Sequence, residues 1–148
     1  MNILVLNGPN LNFLGIREPE VYGSATYEDL AGEIEAYAEN HGHHAAMFQT
    51  NHEGVIIDRL QDAYADGTEG IIINPGAYSH YSYAIHDALK TLSDIPKVEV
   101  HLSDIRERKE AFRHTSVTAD ACDHVIMGKG AKGYFEAFDW LEAHAKRP

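Results

Sequence analysis

The chain of 148 residues has a single cysteine, Cys122. That excludes an intrachain disulfide and a cysteine-built zinc site, and a reducing compartment is expected. Long apolar runs are missing too: Ile71-Ile72-Ile73 is far shorter than the roughly 20 residues of a membrane-spanning helix. The start, Met1-Asn2-Ile3-Leu4-Val5-Leu6, has neither a basic segment nor a small-residue cleavage site, so a soluble, cytoplasmic protein is expected. Positive charge is scarce. Twelve Lys and Arg face 23 Asp and Glu, and a formal net charge of −11 repels phosphate backbones. Nucleic acid and membrane are thus set aside as partners, while a small anion remains possible in a pocket lined by a few arginines.

What is there reads as one globular domain over residues 1–148, with 44% hydrophobic and 24% charged residues. Five short aliphatic runs, Asn2–Leu6, Ala45–Gln49, Gly70–Ile73, Lys97–Leu102 and His124–Met127, alternate with segments of helical period. This predicts an α/β fold of the flavodoxin-like doubly wound type, a five-stranded parallel sheet with helices on both faces. The first helix follows Thr26, where Thr26-Tyr27-Glu28-Asp29 resembles a capping box, and buries Leu30, Ile34 and Tyr37. A second spans Val55–Ala65 with Ile56, Leu60 and Ala63 or Tyr64 inward, stopped by Asp66-Gly67. A third begins near Ser79 and runs to Leu89 or Leu92. The last, Tyr134–Ala145, carries a core stripe of Phe135, Phe138, Trp140 and Leu141.

Ligands of open α/β sheets bind beyond the carboxyl ends of the strands. Three of those ends are rich in polar groups: Asn7 to Asn12, Asn74-Pro75-Gly76 and His101-Leu102-Ser103. Glu99 and His101, two apart on one strand, share a face, where a carboxylate fixes an imidazole tautomer as a proton donor needs; a structural ion pair is the alternative. His80 and Asp87, seven apart, are expected on one helical stripe, either at the pocket or in solvent. The segment from Gly8 to Ala25 is too long for an ordinary βα connection, lacks helical period and is a candidate lid. It contains Arg17 and Tyr22. A nearby guanidinium lowers a phenol's pKa and lets it serve as a base; a tyrosine packing a loop is the alternative.

Together these segments resemble one family. Asn7-Gly8-Pro9-Asn10-Leu11, Leu14-Gly15, Arg17-Glu18-Pro19 and Tyr22-Gly23 are similar to the opening of type II 3-dehydroquinases. The likeness continues through Gln49 to Gly54, Asn74 to Ala77, Ser79-His80, Asp87-Ala88, Glu99 to Ser103, Phe112-Arg113 and Gly133-Tyr134. It implies dehydration of 3-dehydroquinate in the shikimate route to chorismate and aromatic amino acids, without metal, Schiff base or organic cofactor. The subunits of such enzymes are expected to assemble as a homododecamer. By position, Tyr22 would accept the proton, His101 donate one, Arg17 stabilise the transition state and Asn10 help hold a water at the enolate. Substrate contacts would fall to Asn74, His80, Asp87, Leu102, Ser103 and Arg113.

Three departures from that pattern stand out: His86 where arginine is commoner, Asp104 where asparagine is commoner, and an extra residue between Ser103 and Phe112. The last leaves either Arg108 or Lys109 as the loop cation. His41-Gly42-His43-His44 lies at a turn away from the strand ends, and no metal site is expected there. Lys129 between two glycines lacks the spacing of a phosphate loop. Tyr81 and Tyr83 serve either packing or a subunit contact. The competing function is a non-enzymatic flavodoxin-like module that binds flavin or receives phosphate, although a Ser/Thr-rich phosphate loop does not follow the first strand.

Overall fold

Ile3, Leu4, Val5 and Leu6 are all fully buried, as a strand covered on both faces requires. In the computed structural model of the chain, which describes residues 1–145 with the side chain of Tyr22 left out, they form β1 (Asn2–Asn7) at the middle of the sheet. The other strands are β2 (His44–Gln49), β3 (Gly70–Asn74), β4 (Lys97–His101) and β5 (His124–Met127). All pairings are parallel, in the order β2-β1-β3-β4-β5. That is the expected flavodoxin-like order, whose direction of winding reverses between β1 and β3.

Period-two alternation sorts the core into two layers. Ile3, Val5, Ile72, Val98 and Val100 pack under Leu30, Ile34 and Ala38 of α2 (Tyr27–Asn40) and Tyr134, Phe138 and Leu141 of α5 (Lys132–His144). Leu4, Leu6, Ile71 and Ile73 pack against Ile56 and Leu60 of α3 (Glu53–Ala63) and Ile85 and Leu89 of α4 (Tyr83–Thr91). Each fully buried Leu or Ile contributes about 1.5–3 kcal/mol, so neither layer is dispensable. The capping box at Thr26 is present, with Asp29 N–H donating to the Thr26 hydroxyl and Thr26 N–H to the Asp29 carboxylate.

Several boundaries differ from expectation. The helix α1 (Pro19–Tyr22), one turn long, and a 3-10 turn at Leu11–Phe13 interrupt the segment 8–25, which has no helical period to reveal them. Proline at the first helical position pre-sets α1. The third helix does not start at Ser79. A 3-10 turn over Gly76–His80 comes first, and Ser82 caps α4 by accepting the Ile85 N–H. In α3 it is Ala63 that is buried, while Tyr64 is 77% exposed. The α5 stripe is only partly core: Phe138 and Leu141 are buried, but Phe135 stacks on Tyr37 and Trp140 on the rings of His124 and His144 at the half-exposed edge.

Candidate active site

Asn7 and Asn74, register partners at the ends of β1 and β3, sit side by side where the winding reverses. The fully buried Tyr134 joins them from α5: its hydroxyl donates to Asn7 Oδ1 at 2.6 Å and accepts from Asn74 Nδ2 at 3.2 Å. Burial raises the Tyr134 pKa against the lowering effect of the Asn74 bond, so the phenol keeps the proton this bridge uses. Asn74 Oδ1 also accepts the Gly76 N–H. The loops that follow the two strands cross closely, for a Cβ on Gly8 would lie 2.6 Å from the Pro75 carbonyl oxygen. Gly76 turns away at φ +59°, beside Pro9.

The cleft above this crossing spans about 640 Å³ including its open mouth, within the range of small-molecule sites. Asn10, Arg17, Asn74, His80, His101, Leu102, Ser103, Arg108 and Arg113 all line it, together with Leu11, Leu14 and Ile105. Three guanidinium groups and no described carboxylate therefore face one cavity in a chain of net charge −11. Such a cleft concentrates small anions despite the acidic surface.

Beside this cavity, His101 Nε2 lies 2.8 Å from Glu99 Oε2, on the sheet face that packs against α3 and α4. Glu99 is fully buried, and burial alone would raise its pKa. Hydrogen bonds from His101, Ser116 and Thr118 outweigh burial and hold the carboxyl below its ordinary value. An ionised carboxylate only accepts, so His101 Nε2 carries a proton toward it. His80 is held by the Thr115 carbonyl at 2.9 Å from Nδ1. Burial lowers its pKa and the nearby Arg113 and His101 charges add to this, against the raising effect of the Thr115 bond, which favours a neutral ring.

Residues 1–142 match the family described as Dehydroquinase class II. The chain belongs to that family. It is 53% identical to the 3-dehydroquinate dehydratase of Lachnospira eligens, the match covering 94% of each chain, and 55% identical to that of Lachnoclostridium phytofermentans, again over 94% of each. The crystal structure of the type II dehydroquinase from Butyrivibrio crossotus superposes with a TM-score of 0.94 at 56% identity, covering 96% of this chain and 97% of the other. These matches set a dehydroquinase above a flavin or receiver module.

Within this dehydroquinase chain, the choice of loop cation resolves to Arg108. Its Nη2 is 2.9 Å from Glu18 Oε2 and it lines the cleft, whereas Lys109 is exposed and outside. Arg17 Nη2 lies 3.7 Å from the other Glu18 oxygen, so one carboxylate on the segment 8–25 spans two cleft arginines. Glu18 takes this position in the left-handed region, φ 43°. Arg113 Nε is 3.3 Å from Glu110, outside hydrogen-bond geometry, and its guanidinium lies over the Phe112 ring.

The common helical stripe expected for His80 and Asp87 is corrected by the structure. His80 belongs to the 3-10 turn and Asp87 to α4, so no common helical stripe joins them. The Asp87 side chain is 83% exposed, pairs with His86 at 3.2 Å and does not line the cleft. Asp104 caps the turn Ile105–Glu107 and holds Arg106 through two bonds of 2.7 and 2.9 Å. The histidines of the 41–44 turn take structural partners: His41 stacks on Tyr37, and His43 meets the N-terminal amine and Glu142. Tyr81 and Tyr83 are exposed, and Lys129 pairs with Glu136. Among the described residues, no three His, Cys, Asp or Glu side chains gather as a metal cluster.

Sequence reasoning missed Ser116, Thr118 and the role of Tyr134. No spacing rule connects a loop hydroxyl to a carboxylate 17 or 19 residues earlier on a strand. Tyr134 was visible within Gly133-Tyr134, but a tyrosine at helical spacing beside Phe138 reads as core, and only its hydroxyl belongs to the site.

Proposed function

We propose that this cleft removes water from 3-dehydroquinate by anti elimination, giving 3-dehydroshikimate on the route to chorismate. The observation that carries the reading is the meeting of three arginines with His101, backed by the buried Glu99, in one cavity of a dehydroquinase fold. Tyr22, five residues after Arg17 and closing α1, takes the proton next to the ketone. The electron pair moves into an enolate, which the Arg17 guanidinium and a water held by Asn10 stabilise. When the enolate collapses, the hydroxyl at the β carbon leaves as water with a proton from His101. Ring carbons thus lose one proton and one hydroxide, and the product is a conjugated enone.

Substrate is held by Asn74 and His80, while the Leu102-Ser103 backbone and Arg113 take its carboxylate. The segment 8–25 acts as a lid, drawn to the body through Glu18 and Arg108. Asp87 reaches substrate only if a second copy carries it there, which agrees with the homododecamer implied by the family resemblance. The test is absorbance of the enone on adding 3-dehydroquinate to the purified protein. Absence of that signal at micromolar enzyme would overturn the assignment.

A further inference from the structure

The loop between Arg113 and β5 touches the site twice. Its Thr115 carbonyl meets the His80 ring, and its Ser116 and Thr118 hydroxyls reach Glu99. Ser116 Oγ donates to Glu99 Oε2 at 2.6 Å, the same oxygen that faces His101 Nε2 at 2.8 Å. Thr118 Oγ1, fully buried, donates to Oε1 across a short contact. Each hydroxyl has one proton, so giving both to Glu99 leaves the carboxylate with a donor on Oε1 and two on Oε2. Ser116 Oγ in turn accepts the Ala119 N–H at 3.2 Å, and the Val117 N–H is bound to the Ser79 carbonyl at 2.7 Å, which fixes the loop itself.

We propose that Ser116 and Thr118 are positioning residues for the acid, holding both Glu99 oxygens in the orientation that seats the His101 ring. The inference rests on His101 being the proton donor. A hydroxyl pair that merely satisfied a buried carboxylate would affect stability alone; here the carboxylate's other partner is the ring that must present a proton, so the same bonds set its direction. The other ionisable groups around the pair are His80, with Arg113 beside it, and Cys122, which lies within the field of Lys97 and Asp123.

The experiment compares Ser116→Ala, Thr118→Val and Thr118→Ser with the parent chain. In each of the first two, kcat should fall roughly 10-fold, the loss expected when one hydrogen bond to a charged group is removed, with KM within about two-fold. Thr118→Ser should restore the rate. Without substrate, the carbon-13 carboxyl signal of Glu99 should titrate at higher pH in Ser116→Ala and Thr118→Val, and at the parent pH in Thr118→Ser. Unchanged kcat and Glu99 midpoint, or a fall in melting temperature alone, would overturn the proposal. Should Thr118→Val fail to fold, Ser116→Ala decides by the same two readouts. A parent chain that titrates as described yet forms no enone would sink the assigned reaction and leave the clamp intact.

Discussion

Glu18 Oε2 accepts from Arg108 Nη2 at 2.9 Å, joining positions 90 residues apart in the chain. This contact ties the segment 8–25 to the loop after β4. A guanidinium directs its N–H groups in a fixed plane, whereas an ammonium offers a point charge.

Arg108→Lys should therefore lower kcat/KM by roughly 10-fold, the value of one charge-assisted hydrogen bond lost. Lys109→Met should stay within about two-fold, as surface charge changes away from a site commonly do. Steady-state kinetics on both variants measures this. A larger loss in Lys109→Met than in Arg108→Lys would return the loop role to the lysine.

Tyr22→Phe keeps the ring and removes the proposed proton acceptor. Turnover should fall by about 10²–10⁴-fold while substrate binding changes by no more than a few fold, the signature of a lost general base. Calorimetric binding beside rate measurements separates the two. High residual turnover would move the base elsewhere.

Glu99 has a folded-state pKa below its ordinary value, since bonds from His101, Ser116 and Thr118 outweigh burial. A depressed carboxyl contributes stability that is present above the unfolded pKa, roughly 4.3, and is lost as pH falls through the folded value. His80, whose pKa is also lowered, acts in the same direction: its unfavourable protonation erodes stability as pH drops below roughly 6.5. Urea midpoints of the parent and of Glu99→Gln should differ most near neutral pH and converge as pH falls through the folded Glu99 value. A gap that widened on acidification would contradict the ionised carboxylate.

Dehydration through an enolate held by arginine and water needs neither a metal nor an imine. Activity should survive exhaustive chelation, and borohydride with 3-dehydroquinate should trap no adduct on any lysine. Mass spectrometry of the reduced protein reads the second arm. A stable lysine adduct, or activity lost to chelator and restored by one metal, would overturn the mechanism.

Strand positions, the capping box at Thr26 and the strand-end polar residues were legible from the chain alone, because backbone period and local hydrogen bonding depend on near neighbours. Glu99 and His101 were paired from sequence for the same reason: two residues along one strand necessarily share a face. Tertiary structure alone decided the rest. Arg108 rather than Lys109 enters the cleft because the loop after β4 turns one side chain toward Glu18 and the other to solvent. Asp87 leaves the cleft because Ser82 restarts the helix as α4, breaking the stripe that its spacing from His80 suggested. Ser116 and Thr118 reach Glu99 only once the chain has closed over β4, a long-range contact with no local signature. Sequence determined which chemical groups stand at the strand ends; packing determined which of them meet, since a side chain's direction is set by the neighbours it is packed against.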